Sequence, residues 1–223
     1  MCPVTDAVEL LANAGGADER GAVFTRREVV DFVLDLSGYT VDKPLHRMRL
    51  LEPSFGDGDF LLPAVERLLQ AWRNSGDVAA PIKALARCVR AVELHGDSVV
   101  RTRAALVVLM AQHGVDAKAA TALADTWLIH ADFLLVGLPD PFDIVVGNPL
   151  CVRQELIPAA LLAEYRSRYA TLYDRADLYI VGPAKCTLHL VLRRRPMRRD
   201  ICDEGAALLP RVNGGELGGH GSR

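Results

Sequence analysis

Two strand-to-loop junctions carry the residue types that could do chemistry in this chain. Residues 143–151 read DIVVGNPLC, an apolar stretch that passes through Gly147 and delivers Asn148 and Pro149 onto a loop. A polar group released at the carboxyl end of a buried strand stands where α/β sheets place their reacting groups. Upstream, residues 51–60 read LEPSFGDGDF, with Glu52 at the strand end, Pro53 after it, and Gly56 and Gly58 in the turn. Glycine lets the backbone approach a ligand closely because it has no Cβ. A lone Gly-x-Gly is a weak signal and a lone strand-end Glu is usually solvated, so the weight rests on the two junctions together.

Other chemistries find less support. Five cysteines (Cys2, Cys88, Cys151, Cys186, Cys202) are scattered, odd in number and free of Cys-x-x-Cys spacing, which predicts reduced thiols rather than a disulfide framework or a zinc site. The six histidines, His95, His113 and His130 among them, show no metal spacing. Tyr165, Tyr169 and Tyr173 recur every four residues and read as a helix stripe. The basic run from Arg193 to Arg199 could touch phosphates, but beside a glycine-rich end it reads as a solvated stretch.

The elements that must position the two junctions follow from periodicity. A helix is expected over residues 4–13, then a loop at Gly15 and Gly16. Thr25, three residues before Glu28, predicts a capping box opening a helix that ends at Gly38. Strands are expected over 47–52, 88–94, 127–135 and 143–147, and helices over 60–72, 81–86, from a cap at Asp97 onward, 117–124 and 158–169. The interval between Glu52 and Glu93 is long for one strand-helix-strand unit and predicts an inserted helical turn. Strands alternating with helices predict an α/β fold, a mostly parallel sheet covered on both faces. No internal repeat is visible.

With 223 residues, half of them hydrophobic and 24% charged, the chain has the length of one domain with a self-supporting core. No apolar run reaches the roughly 20 residues a membrane helix needs and no signal-peptide pattern opens the chain, so a cytoplasmic protein is expected. Residues 1–180 carry 18 Lys and Arg against 24 Asp and Glu, whereas residues 181–223 carry 8 against 4. Duplex binding normally draws on basic side chains that neutralise phosphates. An acidic core must leave that task elsewhere.

On these residues the chain resembles the adenine-specific DNA methyltransferases of bacterial restriction-modification systems, over roughly residues 20–180. Their catalytic loop reads Asn-Pro-Pro and an aromatic, and their S-adenosylmethionine loop is similar to residues 52–60. The resemblance implies a Rossmann-like class I methyltransferase fold, incomplete at its C-terminus. It divides the chain into an N-terminal extension (1–20), a partial catalytic domain (21–180) and an irregular basic, glycine-rich tail (181–223). A truncation or frame change would account for that tail. The family reads DNA through a separate target-recognition domain, so DNA and a specificity or restriction subunit are the implied partners, with no membrane and no metal.

The resemblance also implies roles. S-adenosylmethionine is the cofactor, with Gly21, Phe24 and Thr25 closing over its methionine end and Pro53, Gly56 and Gly58 lining it. Glu52 orders that loop or its bound water. Glu93 accepts from the ribose hydroxyls, Asp132 accepts from the adenine amine, and Phe133 packs on the ring. An aromatic amine is a poor nucleophile, and acceptance of its two hydrogens by the Asn148 side chain and the Pro149 carbonyl favours a pyramidal nitrogen whose lone pair meets the methyl group.

Two positions depart from the family. Leu150 stands for the second proline and Cys151 for the aromatic that stacks on the flipped base. Stacking contributes roughly 1–3 kcal/mol per base, so weakened activity is expected. A cysteine nucleophile of the cytosine-methylating kind needs a proline directly before it, and Leu150 intervenes. Two alternatives stay open: an inactive or regulatory remnant that keeps the cofactor fold, and a methyltransferase for protein glutamine, which uses the same Asn-Pro geometry.

Overall fold

Leu50, Leu51 and Glu52 are buried in succession rather than alternately, as in a strand covered on both faces. They form β1 (Leu50–Glu52), the centre of a five-stranded sheet. The computed structural model describes residues 2–13, 24–138, 141–148, 157–168 and 191–192. On one side of β1 lies β2 (Val89–Glu93), then β3 (Leu128–His130); on the other lies β4 (Ile144–Val145), then β5 (Val191–Leu192). The first four strands run parallel, with Leu50 opposite Val89 and Ile144, and Ala91 opposite Leu128. β5 pairs antiparallel with β4, inside the segment expected to be irregular.

Helices fill the crossovers. α3 (Leu61–Asn74) buries Leu61, Ala64, Val65, Leu68 and Leu69, a stripe at three- and four-residue spacing, against the sheet. Each large aliphatic side chain so buried stabilises the fold by roughly 1.5–3 kcal/mol. α4 (Pro81–Leu85) is the turn that the long β1–β2 interval requires. α5 (Gly96–Gln112) and α6 (Ala117–Trp127) connect β2 to β3. Asp116 caps α6 through the Ala119 amide at 2.9 Å. Asp97 does not cap α5: it lies inside the first turn, where a carboxylate suits the positive end of the helix dipole.

Two further expectations move. The strand expected over residues 127–135 is three residues long because helix α6 runs on through Trp127, whose indole N–H donates to the Leu85 carbonyl at 3.1 Å. Beyond it, the Asp132 side chain accepts from the Leu134 amide at 2.8 Å and turns the chain. Second, α2 (Arg27–Leu36) starts later than a Thr25 cap requires: Arg26 holds the cap position and makes no side-chain cap bond. The N-terminal segment forms the helix expected over residues 4–13. Its helix α1 (Pro3–Asn13) packs Ala7 and Leu11 against Leu161 and Tyr165 of α7 (Ala159–Arg168). Among the described residues no helix is long and apolar enough to cross a membrane.

Candidate active site

The strand order reverses between β1 and β4, and a doubly wound sheet opens its crevice at the carboxyl ends of such a pair. Glu52 ends β1 on one side, and Gly147 and Asn148 follow β4 on the other. The two sides touch: a Cβ on Gly147 would sit 3.4 Å from Glu52 Cγ and 3.5 Å from Pro53 Cδ. With φ at 156°, Gly147 holds a conformation L side chains rarely adopt, so a glycine is needed here for its backbone, since a Cβ would meet its neighbours at ordinary contact distance.

Among the described residues, two acceptors in the crevice have no hydrogen-bond partner. Glu52 is 1% exposed and its Oε2 accepts nothing. Burial, then the negative charges of Glu93 and Asp59, push its carboxyl well above the usual carboxylate range. Asn148 Oδ1 is likewise buried and unpartnered. The other end of the same amide is held, because Nδ2 donates to Thr25 Oγ1 at 3.3 Å. The Thr25 amide in turn donates to Asp59 Oδ2 at 2.7 Å. Thr25 therefore spends its hydroxyl on the β4 loop instead of on the start of α2, and nothing in local sequence could signal a bond spanning 123 positions.

Glu93 is hydrogen-bonded to the loop that follows β1. Its Oε2 accepts from the Gly56 amide at 2.8 Å and from Ser54 Oγ at 3.5 Å, and its Oε1 accepts from the His95 amide at 2.9 Å. From the other side α5 grips the same turn: Thr102 Oγ1 donates to the Gly56 carbonyl at 3.0 Å, and Arg101 donates to Asp57 at 2.7 Å. The two glycines differ. A Cβ on Gly58 would press on Leu62 and Thr102 at 3.1–3.2 Å, so Gly58 serves packing against α3 and α5, whereas beside Gly56 there is open space.

Asp132 is 7% exposed and follows β3 at the same edge of the sheet. Burial raises its pKa, against the opposing pull of a hydrogen bond donated by the Tyr165 hydroxyl and of the Leu134 and Leu135 amides. Sequence reading took Tyr165 for part of a helix stripe; only the packing of α7 shows it reaching Asp132. Phe133 is half-buried and packs with Leu138 against Leu51, Phe142 and Val145. Phe24 is 77% exposed. Gly21, Pro149, Leu150 and Cys151 lie outside the described residues. Among the described residues no group of three or more His, Cys, Asp or Glu side chains could hold a metal ion.

A parallel sheet ordered 3-2-1-4, with Glu52, Glu93, Asp132 and Asn148 at neighbouring tips, matches the α/β methyltransferase fold. No protein-family model matches the chain. Over 180 residues it is 61% identical to the type II methyltransferase M.PaeR7I of Pseudomonas aeruginosa, covering 81% of this chain and 31% of that protein. It is 53% identical over 170 residues to the type II methyltransferase M.XhoI of Xanthomonas vasicola, covering 76% and 31%. It is 44% identical over 165 residues to the type II methyltransferase M.BstVI of Geobacillus stearothermophilus, covering 72% and 29%. The chain thus spans about a third of the length of the curated relatives it matches.

Proposed function

We propose that this chain is the donor-binding and catalytic portion of a type II DNA methyltransferase, which moves a methyl group from S-adenosylmethionine to the exocyclic amine of adenine. The observation that carries the reading is the pair of unpartnered buried acceptors, Glu52 Oε2 and Asn148 Oδ1, on the two sides of the switch-point crevice. A buried carboxylate without a partner calls for a cation, and a buried amide oxygen without one calls for a donor hydrogen. The ammonium of the methyl donor and the target amine supply these two needs. Similarity to three type II methyltransferases over most of this chain supports the same reaction class.

When bound, S-adenosylmethionine supplies an electrophilic methyl group on a sulfonium. The chain's own residues do the rest. Glu52 faces the ammonium, and the open space beside Gly56 admits the methionine chain, with Pro53, Gly58, Gly21, Phe24 and Thr25 around it. Glu93 and Asp132 already accept protein donors, yet each carboxylate oxygen has capacity for more than one hydrogen bond. Glu93 then takes the ribose hydroxyls and Asp132 the adenine amine, with Phe133 beside the ring. Asn148 Oδ1 and the Pro149 carbonyl each accept one hydrogen of the target amine and aim its lone pair. DNA is read by a separate target-recognition region, and the chain belongs to a restriction-modification system.

Leu150 and Cys151 favour a second reading, a donor-binding subunit that does not methylate. Tritiated S-adenosylmethionine incubated with duplex DNA and with a protein extract separates the possibilities. Label on DNA that digests to N6-methyladenine, and falls about 100- to 1000-fold in Asn148→Ala, is the expected result. Donor binding without label supports the second reading, and label on protein supports a glutamine acceptor.

A further inference from the structure

A primary amide has two chemically opposite ends, and a half-turn about its last bond exchanges them. At the tip of β4 the two ends decide everything: Oδ1 of Asn148 attracts an amine hydrogen, whereas an Nδ2 hydrogen in its place would repel it. The bond that distinguishes them in this protein comes from residue 25. Asn148 Nδ2 donates to Thr25 Oγ1 at 3.3 Å while Oδ1 stays buried and unpartnered. Thr25 is itself fixed at its backbone, where Asp59 Oδ2 accepts its amide hydrogen at 2.7 Å. Asp59 belongs to the turn that Glu93 and Thr102 hold in shape.

We propose that Thr25 is a positioning residue for Asn148: its hydroxyl takes up Nδ2 and thereby presents Oδ1 to the acceptor amine, while Asp59 ties this orientation to the loop after β1. The inference deepens the function proposed above and rests on it for the identity of the amine. It gives Thr25 a role toward the acceptor in addition to its place beside the donor. It also couples the two halves of the crevice, because any movement of the turn at residues 56–60 reaches Asn148 through two hydrogen bonds.

The test compares Thr25→Val, which keeps the shape and removes the hydroxyl, with Thr25→Ser, which keeps the hydroxyl. The first readout needs no catalysis: the side-chain amide resonances of Asn148, assigned by their loss in Asn148→Ala. In Thr25→Val they should shift and their hydrogens should exchange with solvent several-fold faster; in Thr25→Ser they should stay as in the parent. The second readout is single-turnover methyl transfer to duplex DNA beside calorimetric titration of S-adenosylmethionine. At saturating donor, a level set by the titration, Thr25→Val should slow transfer about 10-fold, the scale of one hydrogen bond, and Thr25→Ser should restore the rate. Asp59→Ala serves as an independent variant and should slow transfer in the same way.

Unchanged Asn148 amide resonances in Thr25→Val would overturn the inference, and so would a weakened donor Kd with an unchanged transfer rate at saturating donor. A parent protein that binds donor and labels no DNA counts against the proposed function, and the amide readout still decides the role of Thr25.

Discussion

Glu93 Oε2 accepts the Gly56 amide hydrogen at 2.8 Å, so the carboxylate that ends β2 holds the glycine turn that follows β1. The same side chain satisfies the His95 amide at 2.9 Å, at the cap of α5. One buried group therefore ties two neighbouring strand ends to one helix start.

Removing it has a calculable consequence. Glu93→Ala leaves the Gly56 and His95 amides without their acceptor, and each buried donor so orphaned costs about 1–3 kcal/mol. At about 2–4 °C per kcal/mol for a domain of this size, the melting temperature should fall by several degrees. S-adenosylmethionine should also bind at least 10-fold more weakly as the turn loses its shape. A thermal melt together with calorimetric titration checks both, and an unchanged melt would mean that the turn does not depend on Glu93.

Glu52 gives the pH dependence. Its carboxyl is raised above the ordinary value of 4.5, burial being the main cause and the charges of Glu93 and Asp59 adding to it. A folded-state pKa above the unfolded one means that the stability Glu52 contributes is fully present below about pH 4.5 and is lost as pH rises through the raised value. Glu52→Gln should therefore be more stable than the parent at pH 8, with the difference shrinking toward pH 5. Donor binding should respond oppositely: the parent gains affinity as Glu52 ionises against the ammonium, and Glu52→Gln loses that gain. Parallel melts and titrations at pH 5, 6.5 and 8 test the pair of trends, and a Glu52→Gln protein that is less stable at every pH contradicts the assignment of a buried, unpartnered charge.

Much of the framework was legible in the sequence because it is written locally. The strand tips Glu52 and Glu93 and the glycine turn between them announce themselves by apolar runs that end in acids and glycines. What escaped was long-range. Thr25 looked like a helix cap because Glu28 sits three residues on, yet a partner 123 positions away claims its hydroxyl. Tyr165 looked like one of a row, and its hydroxyl reaches Asp132 only because α7 docks on α1. The bonds from Glu93 to the Gly56 and His95 amides have the same origin: Glu52 and Glu93 both end strands, and side-chain direction, which sequence does not encode locally, decides which one meets the loop amides.

Tyr165 supports a test of how α7 is tied to the loop that follows β3. Its hydroxyl donates to Asp132, whose carboxyl stands raised because burial outweighs the hydrogen bonds to it. Tyr165→Phe removes the leading opposing influence and should move Asp132 further up. The loss in stability, about 1.5–3 kcal/mol for a hydrogen bond to a charged group, should be largest on the alkaline side of the raised Asp132 titration, where the carboxylate is charged, and diminish as pH falls through it. Urea unfolding at pH 7.5 and at pH 4 measures this, and an equal loss at both values would assign the effect to packing of the ring instead.

The last prediction concerns Cys151, the residue that follows Asn148-Pro149-Leu150, where an aromatic was expected. A flipped adenine leaves the stacking of the duplex and needs a replacement surface. A thiol offers little, whereas an aromatic ring recovers roughly 1–3 kcal/mol, equivalent to about 5- to 150-fold in affinity. Cys151→Tyr should therefore tighten binding of a duplex carrying 2-aminopurine at the target position, and the fluorescence of the extruded base should fall as the tyrosine stacks on it. Donor affinity should stay as it is, since stacking concerns the target base alone. If base affinity does not change in a protein whose melt matches the parent, stacking at this position has no part in holding the target, and the departure at residue 151 is not the cause of any weakness in transfer.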